Sequence, residues 1–379
     1  MRVDTFQYHP HSGFVPPLTS GLDSARTLVL VFAAPELGDR PELFSMLKHH
    51  FRKGIVVGCS TAGEIAGVQL ADHSLSMAVI HFAGTDLRLA SAEVRHPDDS
   101  CAAARDLARQ LSTPDLRAVL VLSDGLRVNG SELARGFTGA LPPGVAVTGG
   151  LAADGSRFER TWVIADGAVA DGVVTAVGLY GDAIQIGHGS RGGWDVFGPE
   201  RVVTRARSNV LYELDGKPAL ELYKRYLGDR VSELPASALL FPLAVRIADA
   251  PGIVRTILGV NEDEQSMTFA GDIPEGAKAS LMRANVDRLI YGAAQAAASS
   301  RLEPPDGEPT LAIAISCVGR RLVLGERTDE EIEAALDALP AGTHQVGFYS
   351  YGELCPQDGG SCCDLHNQTM TMTTISERL

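Results

Sequence analysis

The chain has 379 residues, 45% apolar and 21% charged, the balance of a soluble globular protein with room for two or three domains. Its formal net charge of −14 argues against recognition of nucleic-acid phosphates or an anionic membrane surface, both of which need a basic face. No apolar stretch approaches a membrane span and the first residues carry no signal-peptide core, so the six cysteines read as reduced thiols of a cytoplasmic protein.

Residues 1–24 read as an N-terminal arm, with His9-Pro10-His11 and Pro16-Pro17 and no clear period. Residues 28–32, Leu-Val-Leu-Val-Phe, form a buried-strand pattern, and 41–51 carry Leu43, Met46 and Leu47 at helical spacing. A second strand, Ile55-Val56-Val57, runs into Gly58-Cys59-Ser60-Thr61-Ala62-Gly63-Glu64-Ile65. Residues 74–80 alternate like a half-buried strand, with 87–94 as the expected hairpin partner.

The order then recurs. Residues 99–111 read as a helix, 118–122 as a strand ending in Ser123-Asp124-Gly125, and Ser131 caps a helix through Ala134 and Phe137. A strand at 145–147 ends in Thr148-Gly149-Gly150, and Trp162-Val163-Ile164 follows. Strands are expected at 173–179 and 183–186, a helix from Asp215-Gly216-Lys217-Pro218 to a stop at Gly228, and a long helix at 277–299. A third pass has a strand at 311–315, a helix at 329–339 and an alternating strand at 368–375. Between them Gly347-Phe348-Tyr349-Ser350-Tyr351-Gly352-Glu353-Leu354 repeats the first glycine turn: Gly, hydroxyl, Gly, Glu, then Leu in place of Ile. The expected fold is α+β: repeated strand-helix-strand units with largely antiparallel sheets in layers.

Each Gly-Glu turn places a hydroxyl and a carboxylate at a strand end. Thr61 and Ser350 would donate to a ligand, and Glu64 and Glu353 would accept from its ammonium; alternatively each Glu ties down its own loop. Gly187-His188-Gly189-Ser190-Arg191-Gly192-Gly193-Trp194 contains G-x-G-x-x-G, but the Gly193, Gly198 and Pro199 that follow do not start the helix a dinucleotide site requires. That leaves a flexible loop carrying an imidazole, a guanidinium and an indole. Cys355, Cys362, Cys363 and His366 suit either a zinc site or redox thiols exposed by Gly359, Gly360 and Ser361. Cys59 stands where a nucleophile would, without the G-x-S-x-G elbow, which keeps a Cys/Ser hydrolase as one alternative; Cys59 and Cys317 also suit small core positions.

The motifs at 58–65, Thr148-Gly149-Gly150 and Leu211-Tyr212-Glu213-Leu214-Asp215-Gly216 resemble the N-terminal part of a FIST sensory protein. Gly347 to Glu353 with Leu365-His366-Asn367-Gln368-Thr369 resembles its C-terminal part. The resemblance runs from about residue 25 to the end and implies a FIST N-like domain at 25–210 and a FIST C-like domain at 211–379. It implies a non-catalytic bacterial input module for a small molecule. The chain leaves no length for an output domain, which fits the stand-alone kind that resembles nitric-oxide-sensing haem proteins. Such proteins signal to a histidine kinase or a cyclic-di-GMP enzyme. On that expectation His188 or His366 ligates the iron, Arg191 pairs with a propionate and Trp194 packs on the macrocycle. An amino-acid ligand is the alternative within the family.

Overall fold

Three times the chain lays down a strand, a helix, a parallel strand, a hairpin and an antiparallel return strand. The computed structural model describes residues 1–18, 21–234, 236–247, 252–303, 308–356 and 362–378. In the first unit these elements are β1 (Arg2–His9), β2 (Gly13–Val15), β3 (Thr27–Ala33), α1 (Pro41–His50), β4 (Ile55–Ser60), β5 (Glu64–Ala66), β6 (Gln69–Ala71) and β7 (Leu75–His81). Residues 1–24 thus supply β1 and β2. The second unit has β8 (Asp86–Glu93), α2 (Ser100–Leu111), β9 (Leu116–Ser123), α3 (Gly130–Ala140), β10 (Ala146–Leu151), β11 (Val163–Ala165), β12 (Ala168–Ala170) and β13 (Val173–Tyr180).

The third unit opens with β14 (Ile184–Arg191) and is interrupted by an insert. The insert comprises β15 (Asp195–Arg207), β16 (Val210–Leu214), β17 (Lys217–Pro218), α4 (Ala219–Leu227), β18 (Leu243–Arg246), β19 (Ile253–Arg255), β20 (Ile257–Asn261), β21 (Ser266–Phe269) and β22 (Lys278–Arg283). The unit resumes with α5 (Val286–Ser300), β23 (Leu311–Cys317), α6 (Val318–Leu324), α7 (Thr328–Asp337), β24 (His344–Ser350), β25 (Gly352–Pro356), β26 (Cys363–His366) and β27 (Met370–Glu377). The fold is α+β with largely antiparallel sheets, as expected.

One register identifies the repeat. Val31 faces Gly58, Val121 faces Gly149 and Ala314 faces Gly347 across the three parallel pairs. A Cβ on these glycines would lie 1.9, 1.8 and 1.8 Å from the facing carbonyl oxygen. Only glycine permits that approach of two backbones.

The hairpins do not stay at home. The β5–β6 hairpin of the first unit pairs with β24 of the third, β11–β12 of the second pairs with β4 of the first, and β25–β26 of the third pairs with β10 of the second. The sheet of each unit therefore has one order: borrowed hairpin, parallel pair, return strand, edge strand. Inward residues of all three sheets share one core, with Leu28, Leu30 and Phe32 meeting Leu120, Leu122, Ile313 and Ile315. Phe32 stacks on Phe348 at 4.7 Å. Outward residues of the same strands pack under α1, under α2 and α3, or under α5 and α7. Burial on both faces is why these strands read as continuous apolar runs.

The insert forms its own sheet around Leu211, Leu243, Ile257, Met267, Phe269 and Leu281. Its two end strands, β19 and β20, are consecutive in the chain. The helix expected to stop at Gly228 is α4, and that glycine takes φ 57°.

Four further expectations change. The cap of α3 is Asn129, whose side chain accepts from Glu132 N at 3.1 Å, and Ser131 lies inside the helix. Residues 87–94 do not pair with 74–80: as β8 they pair with β13 in the second sheet. The Glu377 carboxylate accepts from Ala83 N (2.7 Å), Gly84 N (2.9 Å) and Thr85 Oγ1 (2.7 Å), which turns the chain away from the first sheet. The expected loop around His188 is strand β14; a Cβ on Gly187 or Gly189 would sit 1.9 or 2.2 Å from Ser300 O or Ala296 O, so the glycines let α5 pack on the strand. The long helix at 277–299 is β22 followed by α5. Asn285 sets that start, its side chain accepting from Arg288 N at 3.2 Å.

Candidate ligand-binding site

The Gly-Glu turns are joints. Thr61 Oγ1 donates to Glu64 Oε1, while Ser74 N and Oγ donate to Glu64 Oε2 at 3.1 and 2.7 Å. In the third unit Ser350 Oγ donates to Glu353 Oε1 at 2.7 Å, and Thr369 N and Oγ1 donate to Glu353 Oε2 at 3.4 and 2.7 Å. The second unit reaches the same end differently: Gly172 N donates to Asp124 Oδ2 at 2.8 Å. In all three units the N–H just before the return strand meets a buried carboxylate. Burial pushes Glu64 up to about 7 and Glu353 up to about 8, against the hydroxyl and amide donors that favour the charged form.

The first turn also borders a cavity of about 190 Å³ that draws on all three units. The first supplies Thr61, Ala62, Gly63, Glu64, Glu36, Asp72 and His73, the second the loop Asp154-Gly155-Ser156-Arg157, and the third Arg321 of α6. Arg321 donates to both Asp72 oxygens at 2.8 and 2.6 Å and to Ala62 O, and its guanidinium holds Asp72 below the usual carboxylate range. His73 is hydrogen-bonded to Glu36, which raises the imidazole's pKa. Asp154 accepts from Phe158 N (2.9 Å), Glu159 N (2.8 Å), Arg160 N (2.9 Å) and the Tyr351 hydroxyl. Burial acts to raise Asp154, but these donors outweigh it and hold the group low. Arg157 is exposed at the rim and makes no hydrogen bond or ion pair among the described residues. The cavity thus offers carboxylates from the first unit and an unengaged guanidinium from the second.

Of the residues expected in a site, Thr61 and Glu64 line this cavity, whereas Ser350 and Glu353 form their own buried joint. Glu36, Asp72, His73, Asp154, Arg157 and Arg321 were not anticipated. The signal for the second unit's share was the long connection at 152–162, against the single residue Tyr351 between β24 and β25.

The residues expected to hold a haem are placed as follows. His188 and Arg191 lie on β14, with Arg191 Nη1 donating to Ser190 O at 3.0 Å. Trp194 is buried among Met282, Leu289 and Leu324, and its Nε1 donates to Gln368 O at 2.8 Å. His366 lies on β26 in another sheet, with Nε2 3.0 Å from Cys355 O. With the indole sealed in an apolar cluster and the His366 nitrogen already hydrogen-bonded, these placements do not fit a haem held by that set. Among the described residues no group of three His, Cys, Asp or Glu is placed to hold a metal ion. Cys355 and Cys363 are buried and Cys362 is exposed; Gly359, Gly360 and Ser361 lie outside the described residues. Cys59 is a core side chain whose thiol burial pushes well above its ordinary value, the opposite of an activated nucleophile. Among the described residues no helix is long and apolar enough to cross a membrane.

All three units thus contribute loop or helix residues to one polar cavity at their strand ends. The chain belongs to the FIST family: residues 27–217 match the FIST N domain and residues 219–356 the FIST C domain. FIST domains are small-molecule sensory domains. An uncharacterized protein of Methanocaldococcus jannaschii is 23% identical over 383 residues, covering 88% of this chain and 70% of its own length.

Proposed function

We propose that this FIST protein is a non-catalytic sensor of a small zwitterion of the amino-acid class. The ligand carboxylate pairs with Arg157, and its ammonium is accepted by Glu36 and Asp72, whose oxygens retain acceptor capacity beyond His73 and Arg321. The observation that carries this reading is the unengaged Arg157 guanidinium beside carboxylates in one cavity. A volume of about 190 Å³ lies below the roughly 300–1,000 Å³ typical of drug-sized sites, which favours a molecule of amino-acid size over a macrocycle. Occupancy is passed to a partner, for which the likeness to stand-alone FIST sensors suggests a histidine kinase or cyclic-di-GMP enzyme. The ligand acts by preferring one conformation of the protein.

Calorimetric titration with the common amino acids, and with their decarboxylated amines, tests this. Binding of at least one amino acid, failure of its amine, and a loss of about tenfold or more in Arg157→Ala are expected, since a charged hydrogen bond contributes about 1.5–3 kcal/mol. No binding by any amino acid, or equal affinity in Arg157→Ala, rejects the proposal.

A further inference from the structure

The 152–162 connection that carries Arg157 does not rest on its own unit. Phe158 adopts φ 53°, is 44% exposed, and its ring stacks on Tyr351 with centroids 4.7 Å apart and planes 8° from parallel. The Tyr351 hydroxyl donates to the Asp154 carboxylate and to Gly155 O at 3.0 Å. One tyrosine therefore contacts both ends of the segment that presents Arg157. Tyr351 belongs to the third unit and stands between Ser350 and Gly352, inside the second Gly-Glu turn. Its own N–H donates to Leu151 O at 3.2 Å, at the root of the same connection.

From this geometry we infer that Tyr351 is the positioning residue for the Arg157 loop and ties that loop to the second Gly-Glu turn. The inference rests on the proposed function for its meaning, because the loop matters as the carboxylate-recognising rim of the cavity. A non-glycine residue held at positive φ stays there only while its surroundings impose it. The Phe158–Tyr351 stack and the Asp154 carboxylate are those surroundings. A ligand that draws Arg157 inward shifts Phe158, and the stacked ring carries the shift to Tyr351. The next residues, Gly352 and Glu353, begin β25, which crosses into the second sheet beside β10. Through one aromatic pair the cavity of the first unit, the loop of the second and the turn of the third form a single coupled element.

Hydrogen-exchange mass spectrometry on the full chain tests the inference without needing the ligand. Tyr351→Phe keeps the ring and removes both hydroxyl bonds; residues 155–160 should then exchange several-fold faster, with β9 and β23 unchanged as a control for global stability. Phe158→Ala should in turn speed exchange at 350–356. Wild-type rates at 155–160 in the first variant, or at 350–356 in the second, overturn the inference whatever the ligand proves to be. With whichever amino acid binds the wild type, added protection should reach 350–356 and affinity should fall about tenfold in Tyr351→Phe. Binding with no change at 350–356 also overturns the coupling while leaving the proposed function intact. If no amino acid binds, that proposal fails and the ligand-free comparison still judges Tyr351.

Discussion

Replacing Glu353 with Gln tests whether the Gly-Glu turn is held by a neutral carboxyl. Glu353 is wholly buried, receives Ser350 and Thr369, and has its pKa raised from 4.5 to about 8 by burial. The fold therefore binds the proton more tightly than the unfolded chain does. Stability from this group is full below about pH 4.5, falls as pH rises, and levels off above about 8. At about 1.4 kcal/mol per pH unit, that interval corresponds to a loss on the order of 5 kcal/mol in the wild type. Gln is nearly isosteric with the protonated acid, can accept from one hydroxyl and donate to the other, and does not titrate. Urea midpoints between about pH 5 and 8 should slope downward in the wild type and much less in Glu353→Gln, with unchanged m-values. Glu64→Gln should remove a smaller share, because that pKa reaches only about 7. A wild-type midpoint that is flat or rises over this range, or a Glu353→Gln curve with the wild-type slope, refutes the reasoning.

Gly347→Ala should cost about 3 kcal/mol or more, because the new Cβ would meet Ala314 O at 1.8 Å and separate two core strands. Gly139→Ala in α3, with nothing within 4 Å, should stabilise by up to about 1 kcal/mol; equal effects of the two in chemical denaturation would remove the close-approach argument. Arg320→Met should destabilise by about 3–5 kcal/mol, since the guanidinium pairs with buried Glu331 at 2.6 Å and also holds Gly192 O and Leu289 O. Adding Glu331→Gln should recover part of that loss, and strict additivity of the two would count against a coupled pair. Haem added to the purified protein should give no absorption band that depends on His188 or His366. A band abolished by His188→Ala or His366→Ala would restore the haem assignment.

The threefold repeat was legible because its signal is local. Doubly buried strands give apolar runs, and the glycines at 58, 149 and 347 mark one backbone approach in three places. The hairpin exchange was not legible. Strands β5, β6, β11 and β12 are three residues each, too short to show a period, and their partners lie far away in sequence. In β1 burial falls at Val3 and Phe6, which breaks strict alternation and leaves an arm-like pattern. At the site, sequence similarity between the turns exposed Thr61 and Glu64. Arg157, Asp72 and Arg321 carry no such echo, and only tertiary structure brings them together.

The exchanged hairpins also bear on how the chain is made. As synthesis proceeds, β4 has no neighbour on its outer side until residues 163–165 emerge, and β10 waits for residues 352–354. The first and second units each leave the ribosome with a bare sheet edge that only a later segment can cover, and exposed edges invite pairing with other chains. The last sheet closes with a hairpin made long before, so the three units lock together in one late step. A fragment cut at any boundary between them would keep at least one edge open, and should be recovered as aggregate rather than as a folded piece.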